Sequence, residues 1–257
     1  MDMKTMKYLL VALLLVLLPG QGVRAQKPTA LRGTATAHGP ESGALLVIGG
    51  GTVTPEIWDR FLDLAGGQQA RIVVITNASG DTDSHSAAIR ELERRLGADR
   101  VIQMCLQDIR EANDPALIAP LTRATGIYFT GGRQWRISEV YLNTLAHQAM
   151  WDLLDRGGVI AGSSAGASIQ GSLLWRGDTS GPDILVRNRQ HDLKAFIDAA
   201  PDYIGIGIDE STAIEVHGDT LSVVGKSYVA VHAKGQDGFR FLRPGQTYDL
   251  HTRQTRP

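Results

Sequence analysis

Short apolar runs alternate with longer amphipathic segments through the first two thirds of the chain. The runs are continuously apolar, which is typical of parallel strands covered on both faces. They predict strands at 44–49, 71–76, 101–106, 126–130 and 158–161. Between the strands, apolar residues at helical spacing predict helices at 55–64, 84–96, 115–123 and 136–156. This alternation predicts an α/β fold, with a parallel sheet and helices on both of its faces.

The pattern changes after Tyr203, where the remaining apolar runs are short and lie close together. They predict five strands, at 204–208, 213–216, 221–224, 228–232 and 239–242. Short strands joined by turns pair antiparallel, so we expect a C-terminal antiparallel extension along one edge of the parallel sheet. No internal repeat interrupts the pattern, and residues 43–257 are interpreted as one domain.

The N-terminus has the composition of a secretory signal peptide. Two lysines precede an apolar run at 8–18, and the sequence Val-Arg-Ala at 23–25 fits a small-residue cleavage site. We therefore interpret 1–25 as a signal peptide and the polar segment 26–42 as a flexible lead-in. The apolar run is short for a membrane span. The processed protein is expected to be secreted or periplasmic, with no stable membrane span.

Composition argues against several classes of function. The formal net charge of the 257 residues is −1 and no long basic run is present, so a nucleic-acid partner is not expected. Cys105 is the only cysteine, so no intrachain disulfide can form. The sequence contains neither a C-x-x-C nor an H-E-x-x-H motif, and we expect no metal site.

The most specific chemical motif lies at 162–167, Gly-Ser-Ser-Ala-Gly-Ala, directly after the last predicted parallel strand. A serine between small residues at a sharp strand-to-helix turn is the nucleophile elbow, which lifts a hydroxyl clear of the sheet. Ser164 is centred in the Gly-x-Ser-x-Gly frame and is the predicted nucleophile. The flanking glycines are needed because side chains there would collide with the neighbouring strand and helix. The backbone N–H of Ala165 is expected to help bind an oxyanion.

Two further glycine-bearing segments follow predicted strands, at 49–51 and 130–134. Ligands of open α/β sheets bind outside the carboxyl ends of the strands, so these segments and the elbow should meet at one edge. A glycine pair lets backbone N–H groups approach an oxyanion closely. We therefore predict that Gly131 and Gly132 belong to the oxyanion hole and that Gln134 lines the site.

Three segments in chain order, 129–134, 161–167 and 205–213, resemble motifs of the cyanophycinase-like serine peptidases, peptidase family S51, which also contains aspartyl dipeptidases. The resemblance extends from about Leu45 to the C-terminus. It implies a flavodoxin-like α/β fold related to the class I glutamine amidotransferases, with serine in place of their cysteine. The reaction it implies is hydrolysis of peptide bonds at aspartyl residues, including β-linked aspartyl-arginine.

The resemblance also implies roles for individual residues. Ser164 matches the nucleophile, and Gln134 matches a substrate-side glutamine. Arg187 and Arg189 match an arginine-bearing stretch that would face the acidic groups of a peptide or poly-aspartyl-arginine substrate. No metal or organic cofactor is implied, and homodimers are common in the family.

One family element has no counterpart in this sequence. The family carries an Asp-Gln-His element between the nucleophile and the arginine stretch, and its histidine is the general base, but 181–186 leads directly into that stretch. His191 is our candidate base and Asp178 our candidate acidic partner. The alternatives are His85, His147, His217 and His232 for the base, and Asp183 or the pair Asp209-Glu210 for the acid.

These observations predict an exported serine-type peptidase that cleaves aspartyl or β-aspartyl, cyanophycin-like, bonds through Ser164. The missing element motivates an alternative, a catalytically impaired family member that binds peptides. A third interpretation is an esterase-type α/β-hydrolase, whose histidine comes last in the chain. His232 or His251 would then be the base.

Overall fold

The computed structural model describes residues 8–11, 37–79, 86–171, 197, 201–236 and 238–256. The strands in this part of the chain are β1 (Tyr8–Val11), β2 (Ala44–Ile48), β3 (Ile72–Ile75), β4 (Val101–Met104), β5 (Gly126–Phe129), β6 (Val159–Ser163), β7 (Ile204–Asp209), β8 (Thr212–His217), β9 (Thr220–Gly225), β10 (Val229–Ala233), β11 (Arg240–Leu242), β12 (Thr247–Asp249) and β13 (Gln254–Arg256). The helices are α1 (Pro55–Leu64), α2 (Ala87–Leu96), α3 (Pro115–Arg123), α4 (Gln134–Tyr141), α5 (Leu145–Asp155) and α6 (Ala165–Ser168).

The main sheet has nine strands in the order β13-β12-β9-β8-β2-β6-β5-β3-β4. The strands from β2 to β4 in this order pair in parallel and correspond to the five strands predicted from continuous apolar runs. The remaining four strands add antiparallel pairs beyond β2. The predicted α/β fold, with a parallel sheet and an antiparallel extension, is confirmed.

Helices cover both faces of the parallel strands. On one face, Trp58 and Phe61 of α1 and Leu92 of α2 pack in a buried cluster with Val74 of β3 and Tyr128 of β5. On the other face, buried residues of α3, α4 and α5 pack on alternate residues of the same strands. Because strand side chains alternate between the two faces, continuous apolar sequence is what a sheet covered on both sides requires. No helix in the described ranges is both long and apolar enough to cross a bilayer.

The C-terminal third forms more than the single extension that the sequence predicts. Strands β7, β10 and β11, together with β1, make a separate four-stranded sheet in the order β1-β7-β10-β11. A third buried cluster, which includes Ile208, Val231 and Tyr248, lies between this second sheet and the antiparallel part of the main sheet. The last two strands, β12 and β13, were not predicted. β1 lies inside the segment interpreted as a signal peptide and pairs antiparallel with β7.

The single helix predicted at 136–156 is wrong, because the structure contains two helices, α4 and α5. Asn143 between them has a φ of 61°, in the left-handed region that an α-helix does not use. Thr144 then caps α5, since its hydroxyl accepts a hydrogen bond from the His147 N–H at 3.2 Å. Both helices bury residues in the same cluster, so the apolar period continues across the break.

Replacing Thr144 with alanine removes the hydroxyl that caps α5. We expect the free energy of unfolding to fall by about 1 kcal/mol, and Tm by about 2–4 °C for a chain of this size. Urea unfolding followed by circular dichroism measures the change. Thr144→Ser, which keeps the hydroxyl, should retain most of the stability, and Thr122→Ala on the exposed side of α3 should change it little. Equal stability of Thr144→Ala and the parent would contradict the capping role.

Candidate active site

Three strands of the main sheet end side by side at one edge. The register pairs Ile48, the last residue of β2, with Ser163, the last residue of β6. Phe129, the last residue of β5, pairs with Gly162 of β6. The glycine-bearing segment 49–51, the segment 130–134 and Ser164 therefore follow at the same edge, as the sequence predicts.

Ser164 occupies the sharp turn between β6 and α6. Its backbone has φ 55° and ψ −110°, a conformation that non-glycine residues rarely adopt. The N–H of Ser164 donates to the carbonyl oxygen of Ile48 at 3.1 Å, which fastens the turn to the end of β2. Ser164 is partly exposed, and its hydroxyl has no hydrogen-bond partner among the described residues. A strained turn that is held in place by its neighbours and carries a hydroxyl without a hydrogen-bond partner has the geometry of a nucleophile elbow.

Ser163, the other serine of the motif, belongs to the core. It is 8% exposed, and its side chain lies on the same side of the sheet as Tyr128, close enough to influence the phenol. The ring of Tyr128 packs against Trp58, with centroids 4.9 Å apart, and against Phe61. Burial raises the pKa of Tyr128 well above its ordinary value, so the phenol stays neutral. The Ser163 hydroxyl therefore serves core packing, and Ser164 is the serine that faces the edge.

The two glycines of the elbow are required by close packing. A β-carbon on Gly162 would overlap the carbonyl group of Gly166, and one on Gly166 would overlap the carbonyl oxygen of Phe129. The start of α6 thus rests directly on the backbone of β5 and β6. This contact confirms the prediction that only glycine fits on either side of Ser164.

Gly131 lies beside the serine. A β-carbon on Gly131 would be 3.4 Å from the Ser164 β-carbon. The backbone N–H groups of Gly131 and Ala165 make no hydrogen bond to any residue in the described part of the chain. Two unpaired N–H groups next to a nucleophilic hydroxyl are what an oxyanion hole needs.

Gly132 and Gln134 lie farther along the same segment. Gly132 has a φ of 138° and packs so closely on Ala78 that a β-carbon would overlap the Ala78 carbonyl. This close approach lets the segment pass over the turn after β3, where the Arg133 N–H donates to the Ala78 carbonyl at 2.8 Å. The Gly132 N–H, like that of Gly131, makes no hydrogen bond within the described residues, and its predicted place in the oxyanion hole stays a prediction. Gln134 is the first residue of α4 and is partly buried.

An acidic pair reaches the same edge from the C-terminal third of the chain. Gly51 lies against Glu210, so that a β-carbon on Gly51 would be 3.2 Å from Glu210 Oε2. The Ser211 N–H donates to the Gly50 carbonyl at 3.0 Å. Segment 49–51 therefore lies between the elbow and the exposed carboxylate of Glu210.

The neighbour of Glu210, Asp209, has a structural role. It is 7% exposed, and its carboxylate accepts hydrogen bonds from the Ser227 hydroxyl at 2.5 Å and from the Glu210 N–H at 2.9 Å. These bonds hold the turn between β7 and β8 to the loop before β10. Sequence reasoning treated Asp209 and Glu210 as one candidate, and the structure separates them.

No histidine in the described ranges is hydrogen-bonded to a residue of the elbow. His217 lies at the amino end of β2, because the preceding residue, Val216, pairs with Leu45. Its Nδ1 is 2.7 Å from the Gly43 carbonyl oxygen. His232 is buried in the second sheet, with Nδ1 2.9 Å from the Gly238 carbonyl oxygen.

The ring of His147 on α5 already has a hydrogen-bond partner, since the Trp151 indole N–H donates to its Nε2 at 3.1 Å. Burial lowers the pKa of His147. His38 and His251 meet Asp219 near the amino end of β2, and this is the one group of three potential metal ligands among the described residues.

Four of the predicted site residues lie outside the described residues. They are His191, Asp178, Arg187 and Arg189. The rival candidates His85 and Asp183 lie outside them as well. The structure thus places Gly131 and Ala165 beside Ser164, and it places Glu210 against Gly51 at the same edge. It describes no contacts of His191, Asp178, Arg187 or Arg189.

A cavity of about 520 Å³ lies at the opposite edge of the sheet from Ser164. It is lined by residues at the starts of β3 and β4 and by α3, among them Arg71, Arg100 and Arg123. Because these are the amino ends of the parallel strands, the cavity is separate from the elbow.

Comparison with known proteins identifies the class of protein to which this fold and elbow belong. The model of peptidase family S51 matches residues 45–184. Cyanophycinases of Synechococcus elongatus and Thermosynechococcus vestitus are each 30% identical to the chain, over 77% of its length and 70% of theirs. The cyanophycinase of Trichormus variabilis is 30% identical, over 73% of the chain and 72% of its own length. The crystal structure of a peptidase from an acI-B1 Actinobacterium has the same fold, with a TM-score of 0.58 and 23% identity over 82% of this chain and 98% of that one.

The fold and the elbow define a flavodoxin-like α/β peptidase. The chain belongs to peptidase family S51, as the resemblance of its motifs implies.

The close packing of the elbow predicts a large loss of stability for one glycine substitution and almost none for another. Gly166→Ala should lower the free energy of unfolding by about 1–3 kcal/mol, because the new methyl group overlaps the Phe129 carbonyl oxygen. Gly131→Ala should leave stability nearly unchanged, because its methyl group would make ordinary contacts at 3.4 and 3.5 Å. Urea unfolding measures both. A Gly166→Ala variant as stable as the parent would show that α6 does not rest on β5 as described.

Proposed function

We propose that this protein is an exported serine-type peptidase that hydrolyses aspartyl or β-aspartyl, cyanophycin-like, peptide bonds, with Ser164 as the nucleophile. The observation that carries the proposal is the strained turn that presents the Ser164 hydroxyl beside the unpaired N–H groups of Gly131 and Ala165. Family membership supports peptide hydrolysis as the reaction class.

In the proposed reaction, the Ser164 oxygen attacks the carbonyl carbon of the scissile bond while a histidine takes the hydroxyl proton. The carbonyl oxygen becomes an oxyanion and accepts hydrogen bonds from the N–H groups of Gly131 and Ala165, with the Gly132 N–H as the third predicted donor. Collapse of the tetrahedral intermediate breaks the C–N bond, and the histidine returns the proton to the departing amine. Water then hydrolyses the acyl-serine by the same two steps.

We assign the general base to His191, with His85 as its rival. No described histidine is hydrogen-bonded to Ser164, and His38, His217 and His251 belong to the other edge of the sheet. For the acidic partner we favour Glu210, because its carboxylate lies beside segment 49–51 at the elbow edge. Asp178 is the second candidate, on its position in the sequence alone.

The proposed substrate class rests on the names of the similar proteins and on the positive charge of two arginines. The similar proteins are named cyanophycinases. We propose that Arg187 and Arg189 bind the acidic groups of a peptide or poly-aspartyl-arginine substrate, with Gln134 at the start of α4 on the substrate side. Export through the signal peptide at 1–25 would bring the enzyme to substrate in the periplasm or medium, and would remove β1 from the edge of the second sheet. We further propose a homodimer.

The alternative is a family member that binds peptides without cleaving them. It is motivated by the missing Asp-Gln-His element, because a serine hydroxyl is a weak nucleophile without a base. Such a protein would keep the elbow and the N–H groups beside it, and would show only the residual rate that an oxyanion hole and binding supply.

A fluorophosphonate probe separates the two functions, since it reacts with an activated serine. We expect the purified protein to be labelled and Ser164→Ala to be unlabelled. Ser163→Ala is the matched control and should retain labelling, because the Ser163 hydroxyl faces Tyr128 in the core. Absence of labelling in a folded parent protein would favour the peptide-binding alternative, and labelling that survives Ser164→Ala would refute the assigned nucleophile.

Steady-state hydrolysis of a β-aspartyl dipeptide tests the base and the acid. We expect His191→Gln and Glu210→Gln each to lower kcat by about 10³- to 10⁴-fold, since both positions serve the proton transfer. His85→Gln, Asp178→Asn and the exposed control Glu139→Gln should stay near the parent rate. If His85→Gln is inactive and His191→Gln is active, the general base is His85. If Asp178→Asn is inactive and Glu210→Gln is active, the acidic partner is Asp178.

A further inference from the structure

Two histidines and an aspartate converge at the edge of the sheet opposite Ser164. His38, Asp219 and His251 each offer a ligand atom, and these atoms all lie within 4.8 Å of one another. Asp219 Oδ1 is 2.8 Å from His38 Nδ1 and accepts a second hydrogen bond from the His38 backbone N–H at 2.8 Å. The rings of His38 and His251 face each other edge-on, with centroids 6.2 Å apart.

Backbone hydrogen bonds hold the three segments in place. The Gly39 N–H donates to the Gly218 carbonyl at 2.9 Å, and the Gly218 N–H donates to the Pro40 carbonyl at 2.8 Å. The Leu250 N–H donates to the Asp219 carbonyl at 2.8 Å. Each ligand-bearing residue is therefore next to a residue whose backbone is fixed to another of the three segments.

The three side chains thus bring one carboxylate oxygen and two imidazole nitrogens together at one place. Imidazole nitrogen and carboxylate oxygen are ligands that zinc and the neighbouring divalent transition metals accept. Three protein ligands that are open to solvent leave the fourth position of a tetrahedral site for water.

We propose that His38, Asp219 and His251 form a binding site for a divalent first-row transition metal, with Zn²⁺ as its representative. The three ligands come from the lead-in before β2, the turn between β8 and β9, and the turn between β12 and β13. A bound ion would cross-link these segments. Because the site lies at the amino end of β2, the ion stabilises the fold and takes no part in the reaction at Ser164.

Calorimetric titration of tag-free, chelator-stripped protein with Zn²⁺ tests the site. We expect one ion per chain, and an increase in Tm of about 5–10 °C when free Zn²⁺ is 100 times its Kd. His251→Gln should weaken Zn²⁺ binding at least about tenfold and abolish most of this increase. This residue is exposed, so the variant should fold as the parent does.

His147→Gln is the matched control, because it removes a histidine that is outside the cluster. It should bind Zn²⁺ as the parent does. Asp219→Asn should weaken binding like His251→Gln, and none of the variants should change fluorophosphonate labelling of Ser164. No binding by the parent, or binding that is unchanged in both His251→Gln and Asp219→Asn, would overturn the proposal.

Discussion

The approach of α6 to the backbone of β5 is the constraint on which the candidate active site depends. With no side chain at Gly166, the helix begins in contact with the Phe129 carbonyl, and Gly162 lets β6 run directly beneath it. The chain must then turn within one residue, which drives Ser164 into its strained conformation. The strain is held by the Ser164 N–H bond to Ile48 and by the packing of the strands on either side.

The antiparallel extension brings the distant C-terminal third to the same edge. β8 pairs with β2, so the turn before β8 lies next to the glycines that follow β2. Gly49 packs on the backbone of β7 so closely that a β-carbon would overlap the Asp209 carbonyl. The second sheet is therefore joined to the main sheet at the elbow edge, and Glu210 is placed by this junction rather than by any neighbour in the sequence.

The two edges of the sheet differ in their chemistry. The carboxyl edge has glycine turns, unpaired N–H groups and a partly exposed serine, all of which suit an oxyanion. The amino edge at β2 has imidazoles around a carboxylate. The two edges are separated by the length of the strands. A ligand bound at one edge therefore does not contact the other, and the two sites can be tested independently.

Much of the parallel half of the fold follows from the sequence alone. Continuous apolar runs place five strands within one or two residues of their observed bounds, and the Gly-x-Ser-x-Gly frame identifies Ser164 and its two glycines. These features are encoded by adjacent residues, because alternation, turn chemistry and close packing act over a few positions. The break at Asn143, which was not predicted, shows the limit of reading helices from apolar spacing. Both helices bury residues in the same cluster, so the spacing continues across the break.

Only the tertiary structure decided how the late strands divide between two sheets, that Ser163 faces Tyr128, and that Glu210 rather than Asp209 is exposed at the edge. It also brought together His38, Asp219 and His251, which no motif connects. Each of these depends on contacts between segments far apart in the chain. The physical reason is that strand partners and side-chain surroundings are selected by burial of the whole assembly, which no local pattern records.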